Sequence, residues 1–237
     1  MCIRDRLQAH GRTSDRNADL TFEQDADDIA TLLKNLNIDK ADFFGFSNGG
    51  TTTLQIAIRH PEIVDKMILG SALAKRNGVP DWFWGFMAHA KLENMPAQLK
   101  DGYKKVAADT NGLQVMHDRD AKRMVNFKDI PDEQIKAITV PTLIIIGDKD
   151  VITPEHAIEL HRQIAVSYTH LRAHETVLDL VCRLLLEKKK HEPTNHLTDY
   201  KQISLVHNTA THIATLQQLS HHTSTNNMYI AYKHIDP

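Results

Sequence analysis

Cysteine is scarce: Cys2 and Cys182 are the only two in 237 residues, which supply neither a disulfide framework nor a metal-ligand spacing and fit a reducing compartment. Long apolar runs are missing as well. No stretch approaches the roughly 20 residues needed to span a bilayer, and no secretory leader opens the chain. The expectation is a soluble, cytoplasmic protein with no membrane partner. Charge of one sign is lacking too, since a net formal charge of −2 gives no general pull toward nucleic acid or an anionic surface. Glycine is absent altogether from residues 191–237, a tail rich in His, Thr, Asn and Gln with no steady period. It reads as solvated and poorly packed. His207, His212, His221 and His222 could bind a metal adventitiously, but the solvated tail is the stronger reading, and no metal or cofactor is expected.

What is present is enough for one hydrophobic core, with 41% apolar residues. The chain is organised around Phe43 to Gly50, FFGFSNGG, in which an apolar strand ending runs into Gly45-Phe46-Ser47-Asn48-Gly49. This G-x-S-x-G pattern suits a sharp strand-to-helix turn that strains the serine backbone and crowds the main chain, so small residues are needed on both sides. Such a turn lifts the Ser47 hydroxyl to the strand tip, at a helix start that favours developing negative charge. The N–H of Asn48 would then donate to an oxyanion. Ser47 as a mere helix cap in an ordinary turn is the plain alternative.

Around it the chain alternates. Thr21-Phe22-Glu23-Gln24 reads as a capping box opening a helix over 21–37, with Phe22, Ala26, Ile29, Leu32, Leu33 and Leu36 on one face. Ala41-Asp42-Phe43-Phe44 reads as a buried strand, 51–60 as a helix stopped by Pro61, and 64–72 and 140–147 as further strands, the last almost continuously apolar. Strands alternating with helices over 21–165 predict a doubly wound, mostly parallel α/β domain. Residues 73–139 are too long for a simple crossover and helical in character, a cap. Its Trp82, Phe83, Trp84, Phe86 and Met87 either line an apolar substrate site or bury the cap's own core; the second is favoured, and none is assigned as a ligand contact.

The second chemical signal is Gly147-Asp148-Lys149-Asp150. A carboxylate just beyond a parallel strand sits on the rim where α/β sheets bind ligands, facing Ser47, and would orient a histidine that deprotonates the serine. Asp150 is chosen over Asp148. Capping the following helix, by Asp150 or Thr153, is the alternative.

Over about residues 7–165 the chain resembles the α/β-hydrolase superfamily. LQAHGRTSD is similar to the loop after the fourth strand, GFSNGG to the nucleophile elbow, HPEIVDKMILGSA to the next helix–strand unit, and PTLIIIGDKDVITP to the acid strand. The resemblance implies a partial α/β-hydrolase fold, with Ser47 as nucleophile and Asp150 as triad acid. A Ser in that place points away from the dehalogenase and epoxide-hydrolase branches and toward ester-type acyl hydrolysis of a small molecule, an esterase needing no cofactor.

It also shows gaps. The first three strands are missing, with the loop that donates the second oxyanion N–H; His10-Gly11 matches a later loop. The family order expects a Gly-His about 25 to 30 residues past the acid, after a further strand. Residues 166–190 offer neither, and His170 and His174 stand at about that distance in the wrong setting. MCIRDR at 1–6 and VSYTHLRAHETVLDLVCRLLLEKKK at 166–190 resemble translated sequencing-adapter sequence of the kind left on assembled metagenomic reads. The expected organisation is a foreign 1–6, core at 7–72, cap at 73–139, acid-strand core at 140–165 and a foreign or disordered 166–237. On that account the chain is a truncated serine hydrolase, inactive for want of its histidine; the alternative is a non-catalytic small-molecule binder on the same scaffold. The lost neighbour of the elbow strand predicts an unpaired edge and poor solubility.

Overall fold

The computed structural model describes residues 2–3, 6–147, 149–172 and 229–232. In chain order the strands are β1 (Cys2–Ile3), β2 (Ala41–Phe46), β3 (Val64–Gly70), β4 (Thr142–Gly147), β5 (Ser167–Arg172) and β6 (Tyr229–Tyr232). The helices are α1 (Phe22–Asn35), α2 (Asn48–Arg59), α3 (Asp81–Ala88), α4 (Ala97–Lys104), α5 (Gly112–Val125), α6 (Asp132–Lys136) and α7 (Pro154–Gln163). They form one six-stranded sheet in the order β1-β6-β2-β3-β4-β5. Strands β2 to β5 run parallel, while β6 runs antiparallel to both β2 and β1. The parallel strands therefore share one carboxyl rim, on which Phe46 stands beside Gly70 and Gly70 beside Ile145.

Thr21 starts α1 as its position predicts, its hydroxyl accepting from Gln24 N–H at 3.0 Å. The reciprocal half of the capping box does not form, because the Gln24 amide donates to Asp28 instead. Helix α1 buries Phe22, Ala26, Ile29 and Leu33 and packs on α2. Asp27 joins the two, accepting from Arg59 Nε at 2.8 Å and bonding His60 Nε2 at 2.7 Å. Leu54 and Ile56 of α2 reach the core with Met67 and Leu69 of β3 and Ile144 and Ile146 of β4.

Two expectations are corrected at the sheet edges. Residues 166–190 do contain a strand: β5 lies parallel to β4 from Thr142 beside Ser167 to Gly147 beside Arg172. Its SYTHLR sequence has β-prone Tyr, Thr and Leu but no apolar run, so periodicity does not reveal it. The elbow strand is not an open edge either, since β6 pairs with it from Asp42 to Gly45 and β1 pairs with β6. The β2–β6 pairs join residues 184 to 190 positions apart and the β1–β6 pairs residues 228 to 230 apart, beyond any local signal. Residues 173–228 of the tail, with His174 and the histidines at 207, 212, 221 and 222, lie outside the described residues.

Between β3 and β4 the cap holds α3 to α6, as expected. The aromatic segment divides. Trp84 stacks on Phe127 at 6.0 Å, with the Arg76 guanidinium 3.7 Å from its ring, and Phe83 and Met87 pack on the core. Trp82 and Phe86 are instead 63% and 57% exposed, so burial of the cap's own core does not account for them.

A buried charge cluster anchors the cap to α1. Arg123 of α5 donates to Asp25 at 2.6 Å and to Asp120, and lies over the Phe22 ring. His10 bonds Asp120 at 3.0 Å. Burial drives the Asp25 carboxyl up to about 6, more than Arg123, shared with Asp120, can reverse. At Asp120 burial acts the same way, but the charges of Arg123 and His10 outweigh it and hold the group at about 2. Burial would lower His10, and Asp120 more than offsets it, so that group is raised.

The folded Asp25 value lies above the unfolded one, so its contribution is complete below pH about 4 and lost as pH rises through about 6. The folded Asp120 value lies below, so its contribution is present above pH about 4 and lost toward pH 2. His10 contributes below pH about 6.5 and loses its part as pH rises through its elevated value. Urea unfolding should show the excess stability of wild type over Asp25→Asn shrinking by roughly 2–3 kcal/mol between pH 4 and pH 7. A difference that grows with pH would contradict the assignment.

Candidate functional site

Ser47 follows β2 with φ 56° and ψ −123°, a left-handed, strained backbone for a residue with a side chain. Its N–H donates to Gly70 O at 2.8 Å and its carbonyl accepts from Thr51 N–H at 3.2 Å, so sheet and helix grip it from both sides. The turn is this tight because Gly45 has no side chain: a Cβ there would stand 2.1 Å from Gly49 O and 2.4 Å from Thr53 Oγ1. At Gly50 a Cβ would meet that of Ala72 at 2.7 Å, which lets α2 lie close to the chain leaving β3. Thr51 fastens that approach, its hydroxyl donating to Leu73 O at 2.8 Å and accepting from Leu73 N–H at 3.1 Å.

Ser47 occupies the N-cap position of α2, yet its side chain makes no capping hydrogen bond. The simple cap reading therefore fails, and the half-buried hydroxyl is left at the helix mouth. Asn48 is the first residue of α2, where a backbone N–H has no acceptor within the helix.

Asp150 lies in the loop after β4, on the same rim. Its Oδ2 accepts from Ser71 Oγ at 2.5 Å and its Oδ1 from Ile152 N–H at 3.0 Å. It does not cap α7; Thr153 does, accepting from His156 N–H at 3.3 Å. Ser71 follows Gly70 directly, and Gly70 pairs with Phe46, so β3 sets Ser71 between Ser47 and Asp150. Sequence reasoning passed over Ser71, since a serine after a strand is common and its bond to Asp150 spans 79 residues.

The loop also ties into the cap root. Thr153 N–H donates to Gly78 O at 2.9 Å, and Ala74 N–H donates to His156 Nε2 at 3.0 Å. A Cβ on Gly78 would come within 2.6 Å of the imidazole. Burial, with the positive charge of Lys75, pushes His156 down to about 4. It is therefore neutral, with Nε2 as acceptor and the proton on Nδ1. Other described histidines are engaged elsewhere, His10 with Asp120, His60 with Asp27, His117 with Asp118 and His161 with Ser167. His170 falls inside β5 beside Ile145.

Among the described residues no cluster of three or more His, Cys, Asp or Glu could hold a metal ion, and no helix is long and apolar enough to cross a membrane. A cleft of about 390 Å³ between α4 and α5, lined by residues including Leu92, Lys100, Asn111 and Gln114, touches neither Ser47 nor Asp150.

A family model described as the alpha/beta hydrolase fold matches residues 7–129. The chain belongs to the α/β-hydrolase fold family. Among relatives of this α/β hydrolase, the human serine hydrolase BPHL is 28% identical over 183 residues, 68% of this chain and 57% of the relative. A pimeloyl-[acyl-carrier protein] methyl ester esterase from Neisseria meningitidis serogroup C is 29% identical over 177 residues, 65% of this chain and 63% of the relative. The chain thus spans less than two thirds of either. Among solved structures, the 2-hydroxy-6-oxo-6-phenylhexa-2,4-dienoate hydrolase of Rhodococcus sp. strain RHA1 superposes with a TM-score of 0.60 at 19% identity, covering 78% of each chain. That likeness concerns the α/β-hydrolase fold alone.

Proposed function

We propose that the protein is a serine hydrolase that cleaves a small ester or related acyl substrate through an acyl-enzyme. Ser47 Oγ attacks the carbonyl carbon while its proton passes to a base. The resulting oxyanion faces the N–H of Asn48, and Asp150 orients and charge-stabilises the base. The proton then goes to the leaving alcohol, and water releases the acid from Ser47. The left-handed Ser47, with its hydroxyl outside any capping bond, is the observation that most supports this reading. Relatives named as a serine hydrolase and a methyl ester esterase support the substrate class.

No described residue supplies the base. Among the described residues no histidine side chain hydrogen-bonds Ser47 or Asp150, and loss of a triad base costs on the order of a millionfold. The chain as written is accordingly a slow or silent member, and residues 73–139 serve as its cap.

The test is covalent labelling by a serine-directed fluorophosphonate. A version extended with the downstream strand and Gly-His of a full-length relative should label at Ser47, and its Ser47→Ala variant should not. The chain as written should label slower by orders of magnitude. An extended protein that stays unlabelled would remove the enzyme reading and leave a small-molecule binder on a hydrolase scaffold.

A further inference from the structure

We infer that Ser71 is a positioning residue for the acid of this site, locking the Asp150 carboxylate in one orientation on the rim; the inference rests on the reading of Asp150 as the triad acid. Three observations converge on it. The Ser71 hydroxyl donates to Asp150 Oδ2. Ser71 is only 5% exposed, so water does not compete for that hydroxyl. Its backbone is also held in place, with N–H donating to Ile145 O at 2.9 Å across to β4.

The conformation of Ser71 separates hydroxyl from backbone. At φ 50° it lies in the left-handed region, which glycine enters without strain and a side-chain-bearing residue does not. A purely structural turn here is served better by glycine. What serine adds is the Oγ–H aimed at Asp150.

The carboxylate is then fixed from two directions. Ile152 N–H, from the acid's own loop, holds Oδ1, and Ser71 Oγ–H, from the end of the neighbouring strand, holds Oδ2. The loop bond alone leaves the side chain free to follow its loop. The bond from Ser71 refers it to β3, whose Gly70 also accepts from the Ser47 N–H. Nucleophile and acid thereby share one reference point, and each carboxylate oxygen keeps a lone pair for the histidine that a complete site would bring.

The experiment compares wild type, Ser71→Gly and Ser71→Thr. Glycine removes the hydroxyl and relaxes the backbone, whereas threonine keeps the hydroxyl and adds a branch to a strained position. NMR three-bond couplings between Hα and Hβ of Asp150 should report one staggered rotamer in wild type and Ser71→Thr and rotamer averaging in Ser71→Gly. A single Asp150 rotamer retained in Ser71→Gly overturns the inference.

Fluorophosphonate labelling adds the chemical readout. In the version extended with the downstream Gly-His, labelling of Ser71→Gly should be slower on the order of tenfold to a hundredfold, the usual effect of a misplaced catalytic group, while Ser71→Thr stays near wild type despite a lower melting temperature. A rate that tracks melting temperature rather than the hydroxyl also overturns it. If neither the extended wild type nor any extended variant labels, the nucleophile reading of Ser47 fails, and the couplings still decide the role of Ser71.

Discussion

Gly45→Ala should cost about 3 kcal/mol or more in urea unfolding and abolish labelling at position 47, a larger loss than the 1–3 kcal/mol usual for overpacking. The added methyl would lie 2.1 Å from Gly49 O, 2.4 Å from Gly49 C and 2.4 Å from Thr53 Oγ1. Thr53 can rotate away at the cost of its bond to Gly49 O. The peptide of Gly49 cannot, because it belongs to the first turn of α2, which Thr51 ties to Leu73 and Ser47 ties to Gly70. The helix mouth must therefore shift away from β2, carrying the Asn48 N–H with it. Gly85→Ala is the control: no atom lies within 4 Å of its added Cβ in α3, so alanine's helix propensity should make it neutral or stabilising by up to about 1 kcal/mol. If the two variants unfold at the same urea concentration, close packing at the elbow is not what Gly45 provides.

Arg123→Met should be comparably severe. Arg123 is 4% exposed and serves Asp25, itself 1% exposed, together with Asp120. Methionine keeps the packing against Phe22 but leaves two carboxylates facing each other with His10 as their nearest remaining partner. Removing one partner of a buried ion pair costs roughly 3–5 kcal/mol, much of it from the stranded charge. The double variant Arg123→Met/Asp25→Asn should recover a good part of that loss, since it removes the more deeply buried of the stranded carboxylates. A double variant no more stable than the single one would place the cost in packing instead. Urea midpoints of the three proteins at pH 7 measure it.

The contrast between these clusters and the elbow explains what was legible in the residue order. The elbow is local: strand, two glycines, serine and helix occupy consecutive positions, so pattern and chemistry coincide. Thr21 before α1 and the apolar TLIII of β4 were readable for the same reason. The Asp25–Arg123 pair joins residues 98 apart, and Ser71–Asp150 residues 79 apart. Each member alone is an unremarkable surface-type residue, and only the fold brings it to its partner. Strand β5 escaped notice because SYTHLR carries strand propensity without an apolar run, and β6 because YIAY is apolar but only four residues long and pairs with β2 from the far end of the chain.

The two clasps joining α7 to residues 74–78 have a mechanical consequence. Ala74 hangs on the His156 ring and Gly78 on the Thr153 amide, so the hinge on which the cap would swing is bolted to the helix that follows the acid. Lifting the cap about that hinge pulls on Thr153, three residues beyond Asp150. On the proposed serine-hydrolase reading, the seat of the cap and the alignment of the Asp150 carboxylate are thereby geared together.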